Sequence, residues 1–170
     1  MFGLLICFLL LISLIKKDSI SKFIRRLFLV KEIISKEGVV HFRRYRLLST
    51  PWFNIYIHNI LKSDEDRDPH DHPWGFIVFM FWGSYQEDWL GAYEDYRYWA
   101  GQPLRTSIRS IGSLFAHAAK DFHKITLRSK SVWTLVFASG RKRPGWGYQT
   151  RKGWIHFKEY RQLKNEGKLP

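Results

Sequence analysis

Only one cysteine, Cys7, stands in this chain of 170 residues. That excludes an intrachain disulfide and suits a reducing compartment. Cys7 lies in an apolar stretch far from every histidine, so thiolate drops out of any metal-ligand set built further along. There is no glycine-rich phosphate loop of either common spacing, and no G-x-S-x-G nucleophile elbow. Nucleotide chemistry on those loops and serine hydrolysis on that elbow are therefore excluded. Long hydrophobic runs are also missing. Met1 to Ile15 is apolar apart from Gly3 and Ser13, but a helix of that length spans roughly 22 Å against a bilayer core of ~30 Å. Acid is scarce: 15 Asp and Glu face 28 Lys and Arg, a net charge of +13.

Aromatics are plentiful instead, with 8 Trp, 8 Tyr and 13 Phe in a chain that is 45% apolar. That composition supports a packed core and favours strands. The pattern predicts strands over 39–48, 53–61, 75–82, 94–100, 107–111, 113–117, 123–128 and 132–138. Turn residues punctuate them, among them Ser49-Thr50-Pro51, Gly83-Ser84, Gly101-Gln102-Pro103 and Ser139-Gly140. Short strands so divided read as an all-β sandwich or barrel. The run 76–82 has no polar alternation and is expected to be covered on both faces. A terminal helix is expected over 157–168.

The chemistry concentrates on histidine. In His70-Asp71-His72 the two imidazoles share one face of an extended strand, and Asp71 points to the other. His123 follows on a later strand. Three neutral imidazoles suit Fe(II), Zn, Mn, Ni or Cu and leave positions open on the ion. The remaining histidines, His41, His58, His117 and His156, read as surface or core residues. Of these His58 stands out, because Trp52, Asn54, Tyr56 and His58 share one face of an alternating strand that lines either a pocket or the solvent side.

Two spacings extend this reading. His70, His72 and Gly83 fall on H-x-H-x3,4-E-x6-G, and Gly112 and His123 on G-x5-P-x-G-x2-H-x3-N. The chain in this respect resembles the cupin superfamily over residues 38–162. The wording His70-Asp71-His72-Pro73-Trp74 and the tail Gly145-Trp146-Gly147-Tyr148 are similar to small cupin-like proteins of bacteria and phages. The departures are Phe76 in place of the glutamate, Ala118 of the proline, Lys120 of the glycine and Leu127 of the asparagine. The resemblance implies an all-β cupin-type jelly-roll barrel and a metal site of His70, His72 and His123 with no carboxylate. It implies a metal-dependent enzyme, of the three-histidine Fe(II) dioxygenase type or another, acting on a small anionic or chelating substrate. A non-catalytic scaffold stays open beside it. Substrate-side groups expected around such a site are Tyr56, His58, Tyr85, Glu87 and Arg109.

Three regions are expected: residues 1–36 as an apolar and basic helical segment, 37–162 as the barrel and 163–170 as a tail. Ile20, Phe23, Ile24, Leu27 and Ile34 recur at helical spacing within 19–35, with Lys22, Arg25, Arg26 and Lys31 mostly elsewhere around the turn. A basic amphipathic helix after an apolar stub fits a membrane surface, and the charges that follow the stub keep the barrel on the cytoplasmic side. The alternatives are a helix packed on the barrel and a cytoplasmic protein. Arg141-Lys142-Arg143 and Arg151-Lys152, around Trp146 and Tyr148, mix charge with stacking surface and make nucleic acid the competing partner. Assembly into a homo-oligomer is left open. Asp64, Glu65, Asp66, Asp68 and Asp71 crowd around the His-x-His, as an attraction for a cation or as turn chemistry.

Overall fold

The structure is a computed structural model that describes residues 28–34, 38–90 and 105–170. Eleven strands and one helix are found among them: β1 Leu29–Ile34, β2 Val40–Ser49, β3 Phe53–Ile60, β4 Phe76–Trp82, β5 Ser84–Leu90, β6 Arg105–Ser110, β7 Leu114–His117, β8 Phe122–Leu127, β9 Val132–Ser139, β10 Gly147–Thr150, β11 Gly153–His156 and α1 Phe157–Asn165. One sheet runs β1-β2-β3-β9-β4-β7 and is antiparallel throughout. The opposing layer contains β6-β5-β8 and β10-β11. His70 closes the gap in that layer, bridging to His123 on β8 and to Tyr148 on β10. The two layers sandwich the core as a jelly roll does. Met80 and Val132 from one layer pack with Tyr85 from the other, and Ile125 and Leu127 lie against them.

Alternation decides which side chains enter the core. On β3, β4 and β9 the even-numbered Tyr56, Val78, Met80, Thr134, Val136 and Ala138 are buried. The odd-numbered Phe53, Ile77, Phe79 and Phe137 are exposed on the outer face. The run 76–82 is therefore covered on one face, and its expected second cover is absent among the described residues. Gly83, at φ 79°, turns β4 into β5. A Cβ there would lie 2.2 Å from the Ser131 carbonyl oxygen, so the turn accepts glycine alone.

Two expectations fail here for physical reasons. The helix expected through Ser35 does not include Leu29–Ile34, which is an edge strand paired with β2. Val30, Ile33 and Ile34 are β-branched, and the ladder adds a cross-strand ion pair, Glu32 to Arg43 at 2.7 Å. The stretch 84–90, missing from the predicted strands, is β5, because Tyr85 packs with Met80 and Val132 and Glu87 bonds His117 and His123 inside the barrel. The expected strand 94–100 and the apolar and basic stretch before Phe28 lie outside the described residues. Among the described residues no helix is long and apolar enough to cross a membrane.

Candidate metal centre

The site begins as a backbone arrangement. Pro69, His70 and Asp71 form a strip wedged between β8 and β10. The His70 N–H donates to the His123 carbonyl and the His123 N–H to the His70 carbonyl, both at 2.9 Å. Across the other edge Asp71 N–H donates to Gly147 at 3.0 Å and Gln149 N–H to Pro69 at 2.9 Å. Residues that exchange both hydrogen bonds stand directly opposite and send their side chains to the same face. The ladder itself thus puts His70 beside His123, and His72 joins them two residues on.

The three rings form a near-equilateral triangle, with centroids 4.9, 5.0 and 5.1 Å apart. One ligand nitrogen from each lies within 4.8 Å of the others. The Nε2 atoms of His72 and His123 are 2.9 Å apart. Burial holds His70 down to about 4 and His72 well below the usual imidazole range, and neighbouring imidazoles push His72 further down. Neutral imidazole is the metal-binding form, so the donor set fits a divalent ion. Phe76 fills the carboxylate position of the motif. Its ring lies 4.9 Å from that of His72 and 5.8 Å from that of His123.

A second group sits behind His123. Its Nδ1 is 2.9 Å from Glu87 Oε1, and His117 Nε2 is 2.9 Å from the same oxygen. Arg109 Nε donates to Glu87 Oε2 at 2.9 Å. Burial alone would push the Glu87 carboxyl up, but the hydrogen bonds from His117 and His123 and their electrostatic attraction outweigh it and hold it well below the usual carboxylate range. A carboxylate on Nδ1 fixes the His123 tautomer, leaving the Nε2 lone pair free and raising its basicity. Glu87, His117 and His123 could themselves hold an ion. Their atoms are already hydrogen-bonded to one another, so the group acts as the support of His123.

The expected substrate-side residues therefore separate. Glu87 and Arg109 stand behind His123, and Arg109 also lies 4.2 Å from the Phe115 ring. Tyr85 is buried with Met80 and Val132 in the core. Tyr56 and His58 lie on the inner face of β3, their rings 6.0 Å apart. Two further residues, His117 and Arg44, escape the sequence patterns. His117 is legible only through alternation, with Phe115 and His117 inward and the exposed Leu114 and Ala116 outward on β7. Arg44 carries no local signal.

The acidic loop is mostly tied down. Asp64 accepts from the Ile125 N–H at 2.8 Å, Asp66 from the Tyr148 hydroxyl at 2.5 Å and Asp68 from the Tyr160 hydroxyl at 3.0 Å. Asp71 takes Arg143, the Gly147 N–H and the Trp154 indole. Trp146 stacks on Phe157 and Tyr148 on Tyr160.

No family model matches the chain, and no curated protein does. Among solved structures, DMSP lyase DddQ from Ruegeria pomeroyi DSS-3 superposes with a TM-score of 0.50 at 15% identity, over 72% of this chain and 58% of that one. The fold is that of the cupins. KdgF from Halomonas sp. gives 0.47 at 14% identity, over 65% of this chain and 88% of its own. HppE in its Fe(II) form gives 0.47 at 14%, over 64% and 55%. This cupin-type chain spans little more than half the length of the lyase and of HppE. At such identities the likeness concerns the fold, and chemistry has to come from the site.

Proposed function

We propose that this cupin-type chain binds a divalent metal, Fe(II) first, through His70, His72 and His123, and that it is a metal-dependent enzyme of a small anionic or chelating substrate. The observation that carries the reading is the approach of the His72 and His123 Nε2 atoms to 2.9 Å, with the buried His123 oriented from behind by Glu87. A bound ion would supply Lewis acidity, or with iron a place for dioxygen beside substrate. The chain's own residues do the rest. Glu87 fixes the His123 tautomer, Phe76 keeps one side of the centre dry, and three uncharged ligands leave the ion's charge for an anion.

The test is elemental analysis of full-length protein purified without a histidine tag, followed by metal titration. Near-stoichiometric metal that is lost in His72→Ala and His123→Ala supports the reading. Wild-type protein that takes up no Fe(II), Zn or Mn in titration rejects it. Nucleic acid gains no support, since Trp146 and Tyr148 spend their ring faces on internal stacking.

Membrane attachment belongs to the same proposal, now assigned to residues 1–27. Leu29–Ile34 is part of the sheet, so removing 1–27 is expected to release a folded domain from the membrane fraction. Removing 1–36 also strips β1 and is expected to lower the unfolding midpoint. Full-length protein in the soluble fraction would overturn the attachment.

A further inference from the structure

Arg44 is a half-buried cation on the inner face of the barrel, with no counter-charge among the described residues. On the inner face of the six-stranded sheet the register places Lys31, Arg44, His58, Thr134 and Met80 in one row across β1, β2, β3, β9 and β4. The row is apolar at the Met80 end and cationic at the other. Arg44 Nε donates to His58 Nε2 at 2.9 Å. Burial first, then the charge of Arg44, holds His58 well below the usual imidazole range. His58 is thus a neutral acceptor and does not cancel the charge. No carboxylate among the described residues pairs with Arg44, and the N–H groups on its two terminal nitrogens meet no acceptor there. A half-buried, unpaired guanidinium is costly unless something anionic completes it.

The walls around it are aromatic. The guanidinium carbon lies 4.9 Å from the ring centroid of Tyr56, 5.6 Å from that of Phe42 and 5.7 Å from that of Trp74. Trp74 links this corner to the centre, since it also stacks on His72 at 6.4 Å. The rings replace part of the lost hydration and hold the fork in place. They leave the terminal nitrogens, the pair that receives a planar oxyanion side-on.

We propose that Arg44 is the substrate-anchoring residue of the site. Its two terminal nitrogens take the carboxylate of a small organic acid, the body of that acid lies along Trp74, and the far end reaches the His70–His72–His123 centre. The inference rests on the metal reading for what happens at the far end, but anion capture by Arg44 does not need the metal.

The experiment uses the full-length chain, with benzoate as a flat monocarboxylate and Zn(II) as the metal probe, each titrated by calorimetry. Wild-type protein is expected to bind benzoate with and without Zn(II). Arg44→Gln should weaken benzoate by at least about tenfold, because two charge-assisted hydrogen bonds are lost. It should leave Zn(II) affinity within about twofold. Arg44→Lys, which keeps the charge and loses the fork, should fall between them. It also serves as the test if the glutamine variant does not fold. Benzoate binding unchanged in Arg44→Gln or Arg44→Lys overturns the proposal, as does wild-type protein that binds no benzoate. Failure to take up Zn(II) while the Arg44 variants still lose benzoate would remove the metal reading and keep the anion site.

Discussion

Asp71 and Glu87 are both completely buried carboxylates, and each accepts from three side-chain or backbone groups. Asp71 stands between the two histidines of the motif, yet its donors are Arg143, Gly147 and Trp154, all from the C-terminal stretch. Glu87 is distant in sequence from the motif, yet two of its donors are imidazoles and one of them is His123. Burial leaves the Asp71 carboxyl raised, whereas hydrogen bonds keep that of Glu87 lowered. Sequence adjacency to a site is thus no measure of coupling to it. In a strand the neighbouring residue points away, and the partner arrives from another strand.

The comparison breaks most visibly in stability. Asp71→Ala takes the buried acceptor away from an indole N–H, a backbone N–H and the half-buried Arg143 guanidinium, which keeps only the Ala119 carbonyl. The expected cost is about 4 kcal/mol, read as a lowered urea midpoint, with early proteolysis within 141–156. Whatever fraction stays folded should bind metal as wild type does. A selective loss of metal affinity instead would make Asp71 part of the site.

Acid separates the imidazole side from the Asp71 side. His70 titrates at about 4 when folded, chiefly because it is buried, against about 6.5 unfolded. Between those values the unfolded chain binds the extra proton and the folded one does not. The stabilisation is therefore complete above about pH 6.5 and is lost as pH falls toward 4, by about 3 kcal/mol in metal-free protein. Chemical denaturation across that range checks it, and His70→Gln should flatten the slope. An equally steep slope in His70→Gln would assign the protons elsewhere.

Glu87→Gln is the counterpart of the Asp71 change. The amide keeps the shape and one acceptor, but it no longer draws the proton onto His123 Nδ1. Metal affinity should fall about 10- to 100-fold, with a smaller loss of stability than in Asp71→Ala. Equal metal affinity in titration would reduce Glu87 to a second structural clamp.

The contrast also explains what sequence could and could not show. His70 and His72 were legible because a strand repeats every two residues, and His123 because the motif fixes its distance. The opposite orientation of Asp71 followed from the same rule. Glu87 could be singled out as a polar group, but its side toward the support of His123 depended on β5 lying between β6 and β8. Arg44 had no local mark, and His117 had only the alternation of its strand, which does not say which face turns into the barrel. The strand β1 was missed because its apolar residues match a helical spacing as well as an edge-strand one, and only pairing with β2 decides between them. Pairing of β10 with the His70 strip joins segments more than seventy residues apart, which no local pattern announces.

The smallest expected effect comes from placing a third carboxylate where the motif has one and this chain does not. Phe76 heads β4, points inward and touches His72, His117 and His123 with its ring. In Phe76→Glu the new carboxylate would replace a ring that lies against two of the three ligands, His72 and His123. An anionic oxygen favours a hard ion over a softer one. Mn(II) affinity should therefore rise by about tenfold, and Zn(II) affinity by less. Burying an ionised group among aromatic rings costs stability when no metal is bound, so the metal-free variant should melt earlier than wild type and recover on adding Mn(II). Calorimetric titration of both ions, with thermal unfolding on the same samples, reads the two effects together. An unchanged Mn(II) affinity with the melting loss intact would mean that the position at the head of β4 is packing alone, and that the distance from Phe76 to the ligand nitrogens is too long for a carboxylate to reach.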